Sequence, residues 1–290
     1  MKLKDIIEIL RPINDIMGSF TVVIGILNTR IDIPVDLIIM NIILGAITYF
    51  FIAASGMVIN DIYDIEIDKI NRPQRPIPSG RISIHQAKII FFITYGLGIV
   101  ISVFHSLFFR LGFLNIILVV FFGFIGWVYA KWGKKSGFFG NLIVSVSFSI
   151  GLIYGAILNN ALIPSYIYFF FLTSFFLLLS REVIKGCEDI EGDRELNVKT
   201  LAILIGIKKS TKMAITFSFL AIIFFILPNL TPIISPTLFL ISMIFGLAVV
   251  GYATILMFYS KSERENFKKI SLFLKVGAFL GLLAFLLASI

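Results

Sequence analysis

Residues 37–68 read LIIMNIILGAITYFFIAASGMVINDIYDIEID, and the two parts of this stretch make opposite demands on solvent. Positions 37–60 carry no charge. As a helix at 1.5 Å per residue they reach about 36 Å, enough to cross a hydrocarbon core of about 30 Å. Positions 61–68 then bring four acids, Asp61, Asp64, Glu66 and Asp68. Asp61, Asp64 and Asp68 are three and four residues apart, so one helical face presents all three. Asn60 lies one turn before Asp64. The stretch predicts a spanning helix that ends, at the membrane boundary, in a face of carboxylates.

The rest of the chain has the same character. Of 290 residues, 58% are hydrophobic and 14% charged, and 31 are Phe. A soluble domain carries about a quarter of its residues as charges, so lipid is the solvent for much of this one. Mean hydropathy is +1.00. The single cysteine, Cys187, excludes an intrachain disulfide framework and is read as a small residue tolerated at a helix end. His85 and His105 lie far apart, and no Cys/His cluster has zinc-ligand spacing. The opening MKLKDIIEILRP has no apolar core, so no cleavable signal peptide is expected.

Nine apolar stretches are long enough to span, at about 13–29, 37–60, 86–106, 111–129, 138–158, 162–185, 210–228, 236–258 and 271–289. With the N-terminus inside, this count places 23 of the 25 Lys and Arg on the cytoplasmic side and leaves only Arg30 and Arg110 outside. That is the bias the positive-inside rule demands. It also explains the net charge of +8 without nucleic acid, which is not expected as a partner. No linker or low-complexity segment divides the chain, so one integral membrane domain is expected over 1–290. The expected architecture is all-α and polytopic, in the cell membrane, with the long polar loops at 61–85 and 186–209 cytoplasmic.

A second acidic run, Glu188-Asp189-Ile190-Glu191-Gly192-Asp193, follows the sixth span. Four spans separate it from the first, so both are expected on the same side. Together the two runs hold eight of the seventeen acids. Two ionised carboxylates about 5 Å apart repel by roughly 3 kcal/mol at an effective dielectric near 20, so such groups require cations between them. Mg²⁺ is the natural candidate, since it takes hard oxygen ligands and leaves positions open for substrate phosphates. The intervening loop, Lys69 to Gly80, contains three prolines that stiffen it. Such a loop could hold Arg72 and Arg75 over the site, where guanidinium groups suit phosphate oxygens.

These residues resemble a known family. NDIYDIEIDKINRPQRPIPSG is similar to the NDxxDxxxD signature of the UbiA-type prenyltransferase superfamily, and EDIEGD is similar to its second DxxxD. The likeness covers nearly the whole chain, including Arg11-Pro12-Ile13-Asn14 at the first span. Within the superfamily, RPIPSG and REVIKGCEDIEGD look most like the archaeal geranylgeranylglyceryl-phosphate geranylgeranyltransferases. The resemblance implies nine helices around a central cavity capped by cytoplasmic loops. It implies that Asn60, Asp61, Asp64, Asp68, Asp189 and Asp193 hold Mg²⁺ on geranylgeranyl diphosphate. It further implies that Arg72, Lys134 and Lys185 bind the phosphates with help from Asn14, and that ionisation yields an allylic cation. Tyr129 could face that cation with its π system or anchor its helix at the interface.

Two departures stand out. Relatives often place Tyr and Lys four apart after the fourth helix, whereas Tyr129 is followed by Lys131, Lys134 and Lys135. Many relatives also carry Asp where this chain has Gly186. For the acceptor, the likeness implies a prenylated glyceryl phosphate held in membrane lipid. Its second phosphate could meet the spare bases Arg75, Lys131, Lys135, Arg181 and Lys199. An aromatic acceptor is the alternative. A secondary transporter would bury its acids near the midplane, and these sit at helix ends.

Overall fold

The computed structural model describes residues 2–109, 111–159, 162–195, 198–259 and 263–290, apart from the side chains of Ile70, Asn71, Lys134 and Lys135. The described residues form helices and no strands. In chain order these are α1 (Leu3–Leu10), α2 (Pro12–Leu27), α3 (Val35–Tyr63), α4 (Ile65–Asn71), α5 (Ile84–Phe109), α6 (Phe113–Lys131) and α7 (Phe138–Leu158). There follow α8 (Ser165–Glu188), α9 (Ile190–Glu195), α10 (Leu201–Ile205), α11 (Ile207–Ile226), α12 (Pro236–Tyr259) and α13 (Arg264–Leu287). In lipid every backbone polar group must be satisfied within its own segment, and helices do this.

Eight of the described helices are each long and apolar enough to span, and α1 with α2 makes a ninth candidate bent by 49°. The protein is therefore a multi-pass membrane protein. The bend has a local cause. Arg11 adopts a left-handed conformation (φ 51°, ψ 55°), a region that helix-forming residues avoid, and Pro12 then starts α2 without an N–H to donate. The last span also differs from expectation. It begins at Arg264, one to two turns before position 271. Its first turns are amphipathic, with Phe267, Ile270 and Leu274 buried while Arg264, Lys268 and Lys269 stay exposed. A search for apolar runs misses such a start, because long basic side chains reach water from a helix whose other face is packed.

The chain divides into two compact units. The first comprises Met1–Ile26, Arg30–Gly133 and Tyr154–Ala161. Here α3 packs on α5 and α6, and α1 packs on α3. Small residues permit close helix approach: a Cβ at Gly155 would lie 2.1 Å from the Val22 carbonyl oxygen, and one at Gly123 would lie 2.0 Å from the Tyr95 ring. A buried polar network ties the ends of its helices together. Asn41 donates to the Leu158 carbonyl at 2.9 Å and to Asn159 Oδ1 at 3.0 Å, while its Oδ1 meets His105 Nε2 at 2.8 Å. Tyr154 donates to Asn115 Oδ1 at 2.8 Å.

The second unit comprises Leu27–Thr29, Lys134–Ile153 and Leu162–Ile290. There α8 packs on α11 and α13, and α12 on α13. Phe170 stacks on Phe285 with centroids 4.0 Å apart, beside Phe225 and Phe239. These rings build the core of this unit, while others such as Phe92, Phe108, Phe113 and Phe245 stay exposed, as expected of lipid-facing helices. Cys187 is buried with Val183, Ile184, Phe267 and Ile270, a packing position as expected.

Candidate active site

The first acidic run is built at a helix break of one residue. Asp64 caps α3 and precedes α4, donating its N–H to the Asn60 carbonyl at 2.9 Å while its own carbonyl accepts from Asp68 at 2.8 Å. The two helices therefore continue nearly in register. Asp61, Asp64 and Asp68 all turn inward, at 2%, 3% and 4% exposure. Asn60 Nδ2 donates to Asp64 Oδ2 at 2.8 Å, and Asn60 Oδ1 is buried with no hydrogen bond among the described residues.

Buried carboxylates need compensation. The loop after α4 supplies one cation. Arg72 ends α4 with its N–H on the Asp68 carbonyl at 2.8 Å, and Arg75 then donates its N–H to the Arg72 carbonyl at 3.0 Å. Ser79 returns to the Arg75 carbonyl through its N–H at 3.0 Å and its hydroxyl at 2.7 Å. This nested turn, with Gly80 at φ 76°, points the Arg75 guanidinium back at Asp61 (3.3 Å) and Asp68. A second cation comes from the α1–α2 bend, where Arg11 Nη2 pairs with Asp61 Oδ1 and Nη1 reaches the Met57 sulfur at 3.8 Å.

The loop is itself pinned to α1. Arg81 donates to Asp5 Oδ1 at 2.7 Å, to Glu8 at 2.7 and 2.8 Å, and to the Gln74 carbonyl. Expected among the spare bases for an acceptor phosphate, Arg75 is held here by Asp61 and Asp68. Arg72, expected over the site, is exposed and makes no ion pair among the described residues.

Among the described residues no three His, Cys, Asp or Glu side chains stand poised around one point to hold a metal ion. The donor set nonetheless fits a hard divalent cation: three buried carboxylates, an unsatisfied amide oxygen, and cationic charge already demanded at the site. Guanidinium groups fill that demand here.

The second acidic run repeats the local construction. Asp189 caps α8 with its N–H on the Lys185 carbonyl at 3.0 Å, and Asp193 donates its N–H to the Asp189 carbonyl at 3.0 Å. Both aspartates and Lys185 are half-buried. Lys185, Arg264 and Lys268 act electrostatically on Glu188, because the start of α13 packs on the end of α8. Arg181 pairs with Glu182 at 2.7 Å. A Cβ at Gly186 would find Thr200 at 3.5 Å, an ordinary contact, so packing does not require glycine there.

The remaining expected residues are placed less decisively. Asn14 is exposed in the first turn of α2. Tyr129 is half-buried on α6. Lys131 lies over two indole rings, 4.9 Å from Trp127 and 4.3 Å from Trp132. The side chain of Lys134 lies outside the described residues. Two charged residues went unassigned in the sequence, Arg11 and Asp15, although an acid at the start of an apolar span is a signal in itself.

Comparison with known proteins agrees with the resemblance. A model of the UbiA prenyltransferase family matches residues 19–288. The digeranylgeranylglyceryl phosphate synthase of Saccharolobus solfataricus is 38% identical, the match covering 100% of this chain and 98% of that protein. That of Methanocaldococcus jannaschii is 34% identical, with 100% and 97% covered. A solved digeranylgeranylglyceryl phosphate synthase structure superposes with a TM-score of 0.81 at 33% identity, covering 99% of this chain and 98% of that one. A UbiA homologue from Archaeoglobus fulgidus bound to GPP and Mg²⁺ shares the fold, with a TM-score of 0.67 at 15% identity over 97% and 99% of the chains.

Proposed function

This chain belongs to the UbiA prenyltransferase family, and on that footing we propose that it transfers a geranylgeranyl group from geranylgeranyl diphosphate to geranylgeranylglyceryl phosphate, releasing pyrophosphate. The observation that carries the site assignment is the buried carboxylate face of Asp61, Asp64 and Asp68, on which Asp61 and Asp68 pair with Arg11 and Arg75 brought from outside the motif.

Asn60, Asp61, Asp64 and Asp68 in the first motif, and Asp189 and Asp193 in the second, would hold Mg²⁺ through oxygen. When bound, Mg²⁺ neutralises the diphosphate and makes it a better leaving group. Arg72, exposed and without an ion pair among the described residues, meets phosphate oxygens by its planar fork. Lys185 and Lys134 add charge, and Asn14 donates through its amide. The C1–oxygen bond breaks with its electron pair on the diphosphate. Tyr129 turns its ring towards the resulting allylic cation. The acceptor hydroxyl then forms the new bond to C1 and passes its proton to the released pyrophosphate, and both prenyl tails stay in lipid. The single chain acts as one enzyme, with its N-terminus and both acidic motifs cytoplasmic, as the distribution of Lys and Arg supports.

Radiolabel transfer from geranylgeranyl diphosphate by the purified protein in detergent tests this reading. Geranylgeranylglyceryl phosphate and 4-hydroxybenzoate serve as parallel acceptors, each with Mg²⁺ and with EDTA. The expected result is Mg²⁺-dependent label on the glyceryl phosphate alone. Label on the aromatic acceptor alone would move the protein to another branch of the family, and EDTA-resistant transfer would remove the metal from the mechanism.

A further inference from the structure

The roles above leave one buried acid unused. Asp15 lies in the first turn of α2 at 1% exposure, and neither of its carboxylate oxygens has a hydrogen-bond partner among the described residues. Its surroundings are Arg11, one turn earlier, whose charge acts on it, and Tyr49 of α3, whose ring lies against Gly18. A carboxylate stripped of water and left without a donor is among the costliest groups a fold can carry.

The neighbouring charges are shared unevenly. Asp61 receives two guanidinium groups, from Arg11 and Arg75, while Asp15 receives none. Arg11 pairs with Asp61, and its charge also acts on Asp15. Its backbone is fixed by the left-handed bend and by Pro12, so its freedom is that of its long side chain.

We propose that Asp15 is the second docking point of Arg11: the guanidinium leaves Asp61 when that carboxylate takes a divalent cation, and pairs with Asp15 instead. The inference rests on the metal-binding reading of the first motif. Arg11 beside Asp61 compensates a buried acid in the metal-free protein. The same Arg11 beside a bound cation would be repelled by it. Asp15, four residues on, gives the displaced arginine a partner in the metal-bound state, and the arginine in turn gives the bare Asp15 its counter-charge. Asp15 is then a positioning residue that acts through Arg11 and touches no reacting atom.

Manganese binding, followed by electron paramagnetic resonance on the purified full-length chain in detergent without prenyl substrate, reads this directly. Asp15→Asn, which keeps the shape and removes the charge, is expected to weaken Mn²⁺ binding about tenfold. In the Arg11→Gln background the same substitution should change binding by less than about twofold, since the two residues act as a pair. Arg11→Gln alone should bind Mn²⁺ at least as tightly as the wild type, which keeps the test open if Asp15→Asn does not fold. Wild-type affinity in Asp15→Asn would show a protonated spacer and overturn the proposal. A tenfold loss that persists without Arg11 would do the same, as would weaker binding in Arg11→Gln. Asp64→Ala serves as the reference. If it binds Mn²⁺ normally, the metal reading itself fails, separately from the role of Asp15.

Discussion

Replacing Arg75 with Gln separates the structural from the metal-binding demand of the first motif. The Arg75 side chain is 15% exposed, and the Asp61 and Asp68 side chains that it bridges are 3% and 5% exposed. Removing one partner of a buried ion pair costs about 3–5 kcal/mol, chiefly by stranding the other charge. Asp61 keeps Arg11, whereas Asp68 has no other ion-pair partner among the described residues. The lower end, about 3 kcal/mol, is therefore expected. For a chain of this size 1 kcal/mol moves Tm by roughly 2–4 °C, so the variant should melt about 6–12 °C below wild type in EDTA.

A divalent cation changes that comparison. A ligand at a hundred times its Kd adds about 2.7 kcal/mol to stability. The variant should gain most of this, because its vacated carboxylates are free to take the ion, while the wild type must first displace a guanidinium. The gap measured by thermal unfolding in detergent should accordingly shrink to under about 3 °C in saturating Mg²⁺. A gap of the same size in Mg²⁺ and in EDTA would refute the idea that arginine and metal compete for these oxygens. No gap in EDTA would show that solvent already screens the pair.

Three further outcomes follow from named contacts. Asp64→Ala and Asp189→Ala should each lower prenyl transfer by at least about two orders of magnitude while gel filtration shows an intact protein; near-normal turnover in either removes it from the metal site. Arg72→Ala should raise KM for the diphosphate substrate about tenfold with kcat nearly unchanged, because a phosphate contact made before and after ionisation is uniform binding. An unchanged KM with altered acceptor preference would place Arg72 on the acceptor instead. Gly155→Ala should lower stability by about 1–3 kcal/mol, since its Cβ would meet the Val22 carbonyl at 2.1 Å. Gly192→Ala, with nothing within 4 Å, is the matched control and should melt within a degree or two of wild type.

Much of this protein is legible without coordinates. Apolar length decides which segments can cross lipid, and the bilayer permits only segments that satisfy their own backbones, so the spans at α3, α5 to α8, α11 and α12 fall where composition puts them. Spacing of three and four likewise decides that Asp61, Asp64 and Asp68 share a face, because that follows from helical pitch alone. The sign of a loop charge, too, is a property of the chain itself.

Which acid each base meets is not such a property. Arg11 and Asp61 are 50 residues apart, and Arg81 and Asp5 are 76 apart. Their pairing depends on α1 bending at Arg11 and on the proline loop turning back on itself. Arg72 and Arg75 have the same side chain within one loop, yet one is exposed and the other bridges two buried aspartates, because a nested turn sends them in different directions. Asp15 reads as one more acid near a helix start until the packing of α2 removes its water and leaves it without a donor. Pitch and hydropathy are local quantities summed along the chain, whereas desolvation and charge pairing are set by what the folded chain brings from elsewhere, and only the tertiary structure decides them.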